Sequence, residues 1–239
     1  MLSLALNVVF VPTGAIYLVH KVRILNAQYS APESTGARAA TAPAGFISTL
    51  DYRWPRRLFE DEPVSPGAVI FLGDSLTAGG MWQEVWRATL IIPVLNRGLI
   101  GDRMEGITAR IDEVTRHRPS KLFVMIGIND IKFEQKDPLA LVNQFRALVD
   151  KVVRASPNTK IYLQSLLPVW DTSLNRSVRQ VNLSLASIAD NHHVYYVDLN
   201  SIMSDANGLL RRELSFDGVH LRAAGYEEWR KAIWPLVYQ

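Results

Sequence analysis

Five short apolar runs stand out along the chain: AVIFLG (68–73), IIPVLN (91–96), KLFVMIG (121–127), KIYLQSL (160–166) and VYYVDL (194–199). They are rich in β-branched residues and alternate little between polar and apolar, as strands buried on both faces do. Between them apolar positions recur with helical period in MEGITARIDEVTRHR (104–118), PLALVNQFRALVDKVVRAS (138–156) and NRSVRQVNLSLASIADN (175–191), and another such segment follows residue 221. Strands alternating with helices predict right-handed βαβ units and an α/β fold, its five-stranded parallel sheet covered on both sides. Sheets of this kind bind ligands at the carboxyl ends of their strands.

The pattern before residue 66 differs. Residues 2–19, LSLALNVVFVPTGAIYLV, carry no charge and as a helix would reach about 27 Å, close to the thickness of a bilayer's hydrocarbon core. Asn7, Pro12 and Gly14 weaken the segment, and Lys21 and Arg23 follow rather than precede it. A retained membrane anchor is the expectation, ahead of a removed targeting segment or a soluble apolar arm. Lys21 and Arg23 would favour the cytoplasmic side for that flank, so the orientation of an anchored domain, cytoplasmic or extracytoplasmic, stays open. From residue 28 to about residue 48 the chain is dominated by Ala, Pro, Ser, Thr and Gly, a composition that buries too little to order itself. The organisation expected is an apolar segment at 1–27, a tether and extension at 28–65, and one domain at 66–239.

Composition narrows the chemistry. The chain of 239 residues has a net charge of only +3, and its basic residues are scattered apart from short clusters such as RWPRR (53–57), so a nucleic-acid partner is not indicated. There is no cysteine, which excludes disulfides, thiolate catalysis and cysteine-ligated zinc. The five histidines, His20, His117, His192, His193 and His220, lack the helical His-x-x-x-His spacing of a zinc enzyme, and no metal site is expected.

The strand ends carry the remaining signal. The first leads into GDSLT, the second into NRGLIGD (96–102), the third into GIND (127–130), and DGVHL (217–221) precedes the final helix. Ser75, Gly98 and Asn129 should therefore reach one edge of the sheet, where a late loop can add Asp217 and His220. A serine hydroxyl attacks only when a base accepts its proton, and histidine suits that task near neutrality. His220 is the candidate base, with Asp217 to orient its ring. The oxyanion formed on an ester carbonyl needs preorganised donors, which the N–H groups of Ser75 and Gly98 and the amide of Asn129 could supply. Each motif alone is an ordinary turn or loop; their joint order at the strand ends is what points to a serine hydrolase. His20, His117, His192 and His193 lack this setting and read as structural or surface residues.

In these four blocks the sequence resembles the SGNH (GDSL-type) esterase and lipase superfamily. NRGLIGD, GITARIDEV and SLLPV are similar to the branch holding the platelet-activating-factor acetylhydrolase catalytic subunits and many bacterial acylhydrolases. The resemblance spans about Ala68 to Leu236. It implies a flavodoxin-like three-layer α/β/α domain that works without metal or organic cofactor. Ser75 would be the nucleophile, His220 the base and Asp217 its partner, with Ser75, Gly98 and Asn129 forming the oxyanion hole and Asp74 organising the nucleophile's turn. The implied activity is hydrolysis of short acyl esters, acetyl above all, on a small molecule, glycan or lipid. Members of the branch often pair, so a homodimer is admitted. Two alternatives remain: an O-acyltransferase or deacetylase acting on a cell-envelope glycan or lipid, and a phospholigand-binding module using the first strand's turn.

Overall fold

The structure is a computed structural model and describes residues 49–86 and 90–238. Its elements run α1 (Thr49–Asp61), β1 (Val69–Gly73), α2 (Ser75–Ala78), α3 (Trp82–Trp86), β2 (Val94–Gly98), α4 (Met104–Thr115), β3 (Lys121–Met125), α5 (Ile128–Glu134), α6 (Pro138–Ala155), β4 (Lys160–Gln164), α7 (Thr172–Ala186), β5 (Val194–Val197), α8 (Asn200–Met203) and α9 (Ala223–Tyr238). A 3₁₀ turn, Arg212–Leu214, lies between the last two. The five strands form one sheet in the order β2-β1-β3-β4-β5, and every pairing is parallel. With helices on both faces the architecture is a three-layer α/β/α sandwich.

Every residue of β1 and of β3 is buried, which is why those segments show no alternation in sequence. One face of the sheet carries a row of rings in register, Phe71, Phe123, Tyr162 and Tyr195, stacked at 4.9, 4.6 and 5.2 Å between neighbours. Such pairs add about 0.5–1.5 kcal/mol each beyond burial. Trp82 stacks on Phe71 at 4.3 Å and meets Trp229 of α9 edge-on at 5.1 Å, so α9 closes this side. Right-handed crossovers place α4, α6 and α7, which all connect strands running in one direction across the sheet, on the opposite face.

Some elements depart from the sequence pattern for local reasons. β2 pairs only from Val94, because Pro93 has no N–H to give and Ile91 and Ile92 lie exposed. The helix expected from residue 175 begins at Thr172, since the Asp171 carboxylate accepts the N–H groups of Ser173 and Leu174. Helix α1, for which the sequence pattern gave no element, forms despite Pro55 and is tied to the domain by its end: Arg116 donates to the carbonyls of Phe59 and Glu62 at 2.7 and 2.8 Å. Arg97 of β2 completes that tie through an ion pair with Glu62 and by stacking on Phe59. Among the described residues no helix is long and apolar enough to cross a membrane. The segment 2–19, on which the anchor expectation rests, lies outside the described residues.

Candidate active site

The chain leaves β1 toward β2 on one side and leaves β2 toward β3 on the other, so the carboxyl ends of β1 and β3 flank a topological switch point. Ser75 stands there, as the first residue of α2. Gly73 before it admits no side chain, because a Cβ would sit 2.3 Å from the Met125 carbonyl oxygen. Asp74 caps α2, its carboxylate accepting the Leu76 N–H at 2.9 Å. The Ser75 N–H, in the first position of the helix, has no intrahelical acceptor and is free to bind a ligand oxygen.

Ser75 Oγ lies 3.0 Å from His220 Nε2, and His220 Nδ1 lies 2.7 Å from Asp217 Oδ2. Asp217 Oδ1 also accepts the backbone N–H groups of Val219 and His220. Burial works against the ionised carboxylate, but the His220 ring and these two N–H groups outweigh it and hold the carboxyl at about 2. An ionised Asp217 can only accept, so the ring proton sits on Nδ1 and Nε2 presents its lone pair to the Ser75 hydroxyl. The turn that holds this pair is fixed from several sides. Ser215 Oγ donates to the His220 carbonyl at 2.7 Å, the Trp170 N–H donates to the Gly218 carbonyl at 3.1 Å, and Phe216 stacks on the His220 ring. Gly218 has φ 87° and faces the indole of Trp170 too closely for any Cβ.

Asn129 is buried in the first turn of α5, and its Nδ2 donates one hydrogen to the Asp102 carbonyl at 3.0 Å. The other hydrogen remains for a ligand. Its neighbour Asp130 accepts the Met104 N–H at the start of α4 and pairs with Lys136 at 2.7 Å, which explains the acid of GIND.

Gly98 does not stand as the sequence suggested. Its N–H is donated to Asn96 Oδ1 at 2.9 Å, while Asn96 Nδ2 donates to the Ala78 carbonyl. A Cβ at Gly98 would lie 2.2 Å from the Ala78 nitrogen, so this glycine serves the close approach of α2 to β2. Leu99 and Asp102 give their N–H groups to the Gly73 and Leu99 carbonyls; of the two loop N–H groups left, one belongs to the exposed Ile100 and the other to Gly101. That residue has φ 70° and lies in the turn closed by the Asp102 N–H on the Leu99 carbonyl, one position from the carbonyl that holds Asn129. Sequence spacing could not separate the two glycines of NRGLIGD; only the acceptor two residues before Gly98 hinted at the difference. Arg110, Asp102 and Trp170 also carried no sequence signal of their own.

Asp74 is fully buried, and its Oδ2 has no hydrogen-bond partner. Burial pushes its carboxyl up to about 7, the Leu76 N–H opposes the rise, and the nearby charges of Asp102 and Asp130 add to it. Among the described residues no group of three or more His, Asp or Glu side chains is arranged to hold a metal ion.

A parallel three-layer sheet with a serine, histidine and aspartate relay at the switch point defines an SGNH-type serine ester hydrolase. The chain belongs to the GDSL-like lipase/acylhydrolase family, whose profile matches residues 71–228. Among solved structures it is similar to a protein from Streptococcus pneumonia provisionally described as a platelet activating factor, at 22% identity and TM-score 0.70, over 92% of this chain and 99% of that one. It is also similar to a GDSL-like lipase from Bacteroides thetaiotaomicron (16% identity, TM-score 0.67, 79% and 98% covered). A family 3 carbohydrate esterase from Clostridium thermocellum (21%, 0.57, 72% and 96%) shares the fold as well. No curated protein matched the chain in sequence.

Proposed function

We propose that the protein hydrolyses short acyl esters, acetyl esters first among them, through an acyl-enzyme on Ser75. The observation that carries this reading is the continuous relay from Ser75 Oγ through His220 to Asp217, at 3.0 and 2.7 Å. Ser75 Oγ bonds to the ester carbonyl carbon while its proton passes to His220 Nε2. The oxyanion is received by the N–H groups of Ser75 and Gly101 and by Asn129 Nδ2. Collapse breaks the bond to the leaving alcohol, which takes the proton from His220. Water then repeats the sequence on the acyl-enzyme and frees the acid and Ser75. Leu76 and Ile128, both buried, and the partly buried Val219 stand within the motifs and would bound a small acyl group.

The natural acceptor is a small molecule, a glycan or a lipid, and likeness to a carbohydrate esterase supports acetylated sugars. Transfer to a sugar hydroxyl instead of water uses the same acyl-enzyme and is the second reading. An apolar stretch at 2–19 would hold either activity at a membrane. The phosphate-cradle alternative is disfavoured, because the donor of α2 next to the Ser75 N–H, the Leu76 N–H, already goes to Asp74.

Hydrolysis of p-nitrophenyl esters from acetyl to long chains by the full chain, beside Ser75→Ala and His220→Ala, tests the proposal. Activity that falls with chain length and vanishes in both variants supports it. A folded protein inert toward every ester overturns hydrolysis, and product that appears only when a sugar acceptor is supplied moves the reading to transfer.

A further inference from the structure

Arg110 of α4 is a cation shut away from water, its side chain 1% exposed. A guanidinium is tolerated in such a place only where acceptors replace its hydration, and the acceptors here are distributed unusually. Nε donates to Asp102 Oδ2 at 2.9 Å. Nη2 donates to the Arg97 carbonyl at 2.8 Å and to the Gly73 carbonyl at 3.3 Å. Gly73 ends β1, two residues before Ser75, and Arg97 stands beside Gly98 at the end of β2. Asp102 closes the turn that presents the Gly101 N–H, and its own carbonyl holds Asn129.

Resting on the Ser75 acyl-enzyme reading, we propose that Arg110 is the positioning residue of the oxyanion hole, one planar fork fixing the relative placement of donors that arrive from β1, β2 and β3. It touches neither substrate nor reacting atoms. Its effect runs through the carbonyl before the nucleophile turn and through Asp102. Donors preorganised in this way act on the tetrahedral state, where small displacements are felt most, and hardly at all on the planar ester. A lysine cannot replace the fork, since a single ammonium at the end of a flexible stem does not reach Asp102 and both carbonyls in one geometry.

The test compares Arg110→Lys with the unaltered full chain on p-nitrophenyl acetate and on phenylboronic acid, which becomes tetrahedral on taking up the serine oxygen. A kcat about 10- to 100-fold lower with KM within about threefold is expected, and boronate affinity should fall by the same factor as kcat/KM. Asp102→Asn, made in parallel, should show the same signature, and the double variant should lose no more than the worse single one. A folded Arg110→Lys with kcat within twofold, or one whose loss lies in KM alone, overturns the proposal. Failure of both single variants to fold assigns Arg110 to the fold alone and overturns it too. An unaltered protein inert toward esters would instead overturn the acyl-enzyme reading, whereas activity abolished by Ser75→Ala leaves that reading standing whatever Arg110 does.

Discussion

Asp217 grips His220 at two points, its Oδ2 2.7 Å from the ring Nδ1 and its Oδ1 2.7 Å from the backbone nitrogen. Orientation of the ring and of the loop are therefore set by one carboxylate. Asp217→Asn should keep the loop bond but can offer the ring a donor where an acceptor is needed. The expected result is a kcat lower by about 10²- to 10⁴-fold with little change in KM. A variant within threefold of the unaltered enzyme would remove Asp217 from the relay. The same carboxyl, depressed from 3.8 to about 2, contributes stability that is present above pH 3.8 and lost as pH falls through about 2. As pH falls from 4 toward 2 the unaltered protein should therefore lose in chemical denaturation a stability contribution that Asp217→Asn never has.

The two asparagines near Ser75 should separate cleanly. On the proposed mechanism Asn129→Ala removes an oxyanion donor and should cost about 10²- to 10³-fold in kcat. Asn96→Ala instead strands the Gly98 N–H and the Ala78 carbonyl. Its cost should appear as about 1–3 kcal/mol of stability per buried group left unpaired, with activity of the folded protein within a few fold. Denaturation curves and steady-state kinetics on the two variants measure both quantities. Should Asn96→Ala lose kcat as Asn129→Ala does while remaining stable, the Gly98 N–H is a donor after all.

Those two residues also mark how far the sequence could be read. β1 and β3 were legible because Val69–Gly73 and Lys121–Met125 are buried along their whole length, so composition alone reports them. The meeting of Ser75 with His220 and Asp217 was legible because the end of β1 and the loop before α9 share one edge of the sheet. The choice between Gly98 and Gly101 was not, since it depends on where the Asn96 side chain turns. Nor was Arg110, which reads as one more polar residue of an amphipathic helix until its acceptors are known. Helix α1 escaped because Pro55 stands inside it and because the contacts that tie its end come from Arg97 and Arg116, far along the chain.

His117 should act as a stability switch at the foot of α1. It is fully buried, its Nδ1 accepts the Ser65 N–H at 2.9 Å, and its Nε2 lies 3.3 Å from Glu113 Oε1. Burial lowers its pKa from the ordinary 6.5, against the raising effect of Glu113. As pH falls below 6.5 the unfolded chain takes up a proton that the folded protein refuses, so stability declines, by at most about 1.4 kcal/mol per pH unit. His117→Asn keeps an acceptor for Ser65 but cannot titrate. Its denaturation midpoint should lose that acid-side slope, and an unchanged slope between pH 6.5 and 5 would discharge His117 from the role.

Asp74 should produce the opposite slope. Its carboxyl, buried beside Ser75 with Oδ2 unpartnered, is raised from 3.8 to about 7. Between these values the unfolded chain has released the proton and the folded protein still holds it, so the unfolded state binds fewer protons and stability falls as pH rises from 4 to 7. The upper bound for the whole interval is about 4 kcal/mol. Asp74→Asn retains an oxygen for the Leu76 N–H and carries no titrating proton. The variant need not be more stable at pH 4, where its amide has its own unpaired hydrogens, but its advantage over the unaltered protein should grow steadily up to pH 7 and then level off. Urea denaturation at half-unit pH intervals measures that difference directly. Parallel curves from pH 4 to 7 would mean that Asp74 is ionised throughout, and that a counter-charge or donor reaches Oδ2 in solution.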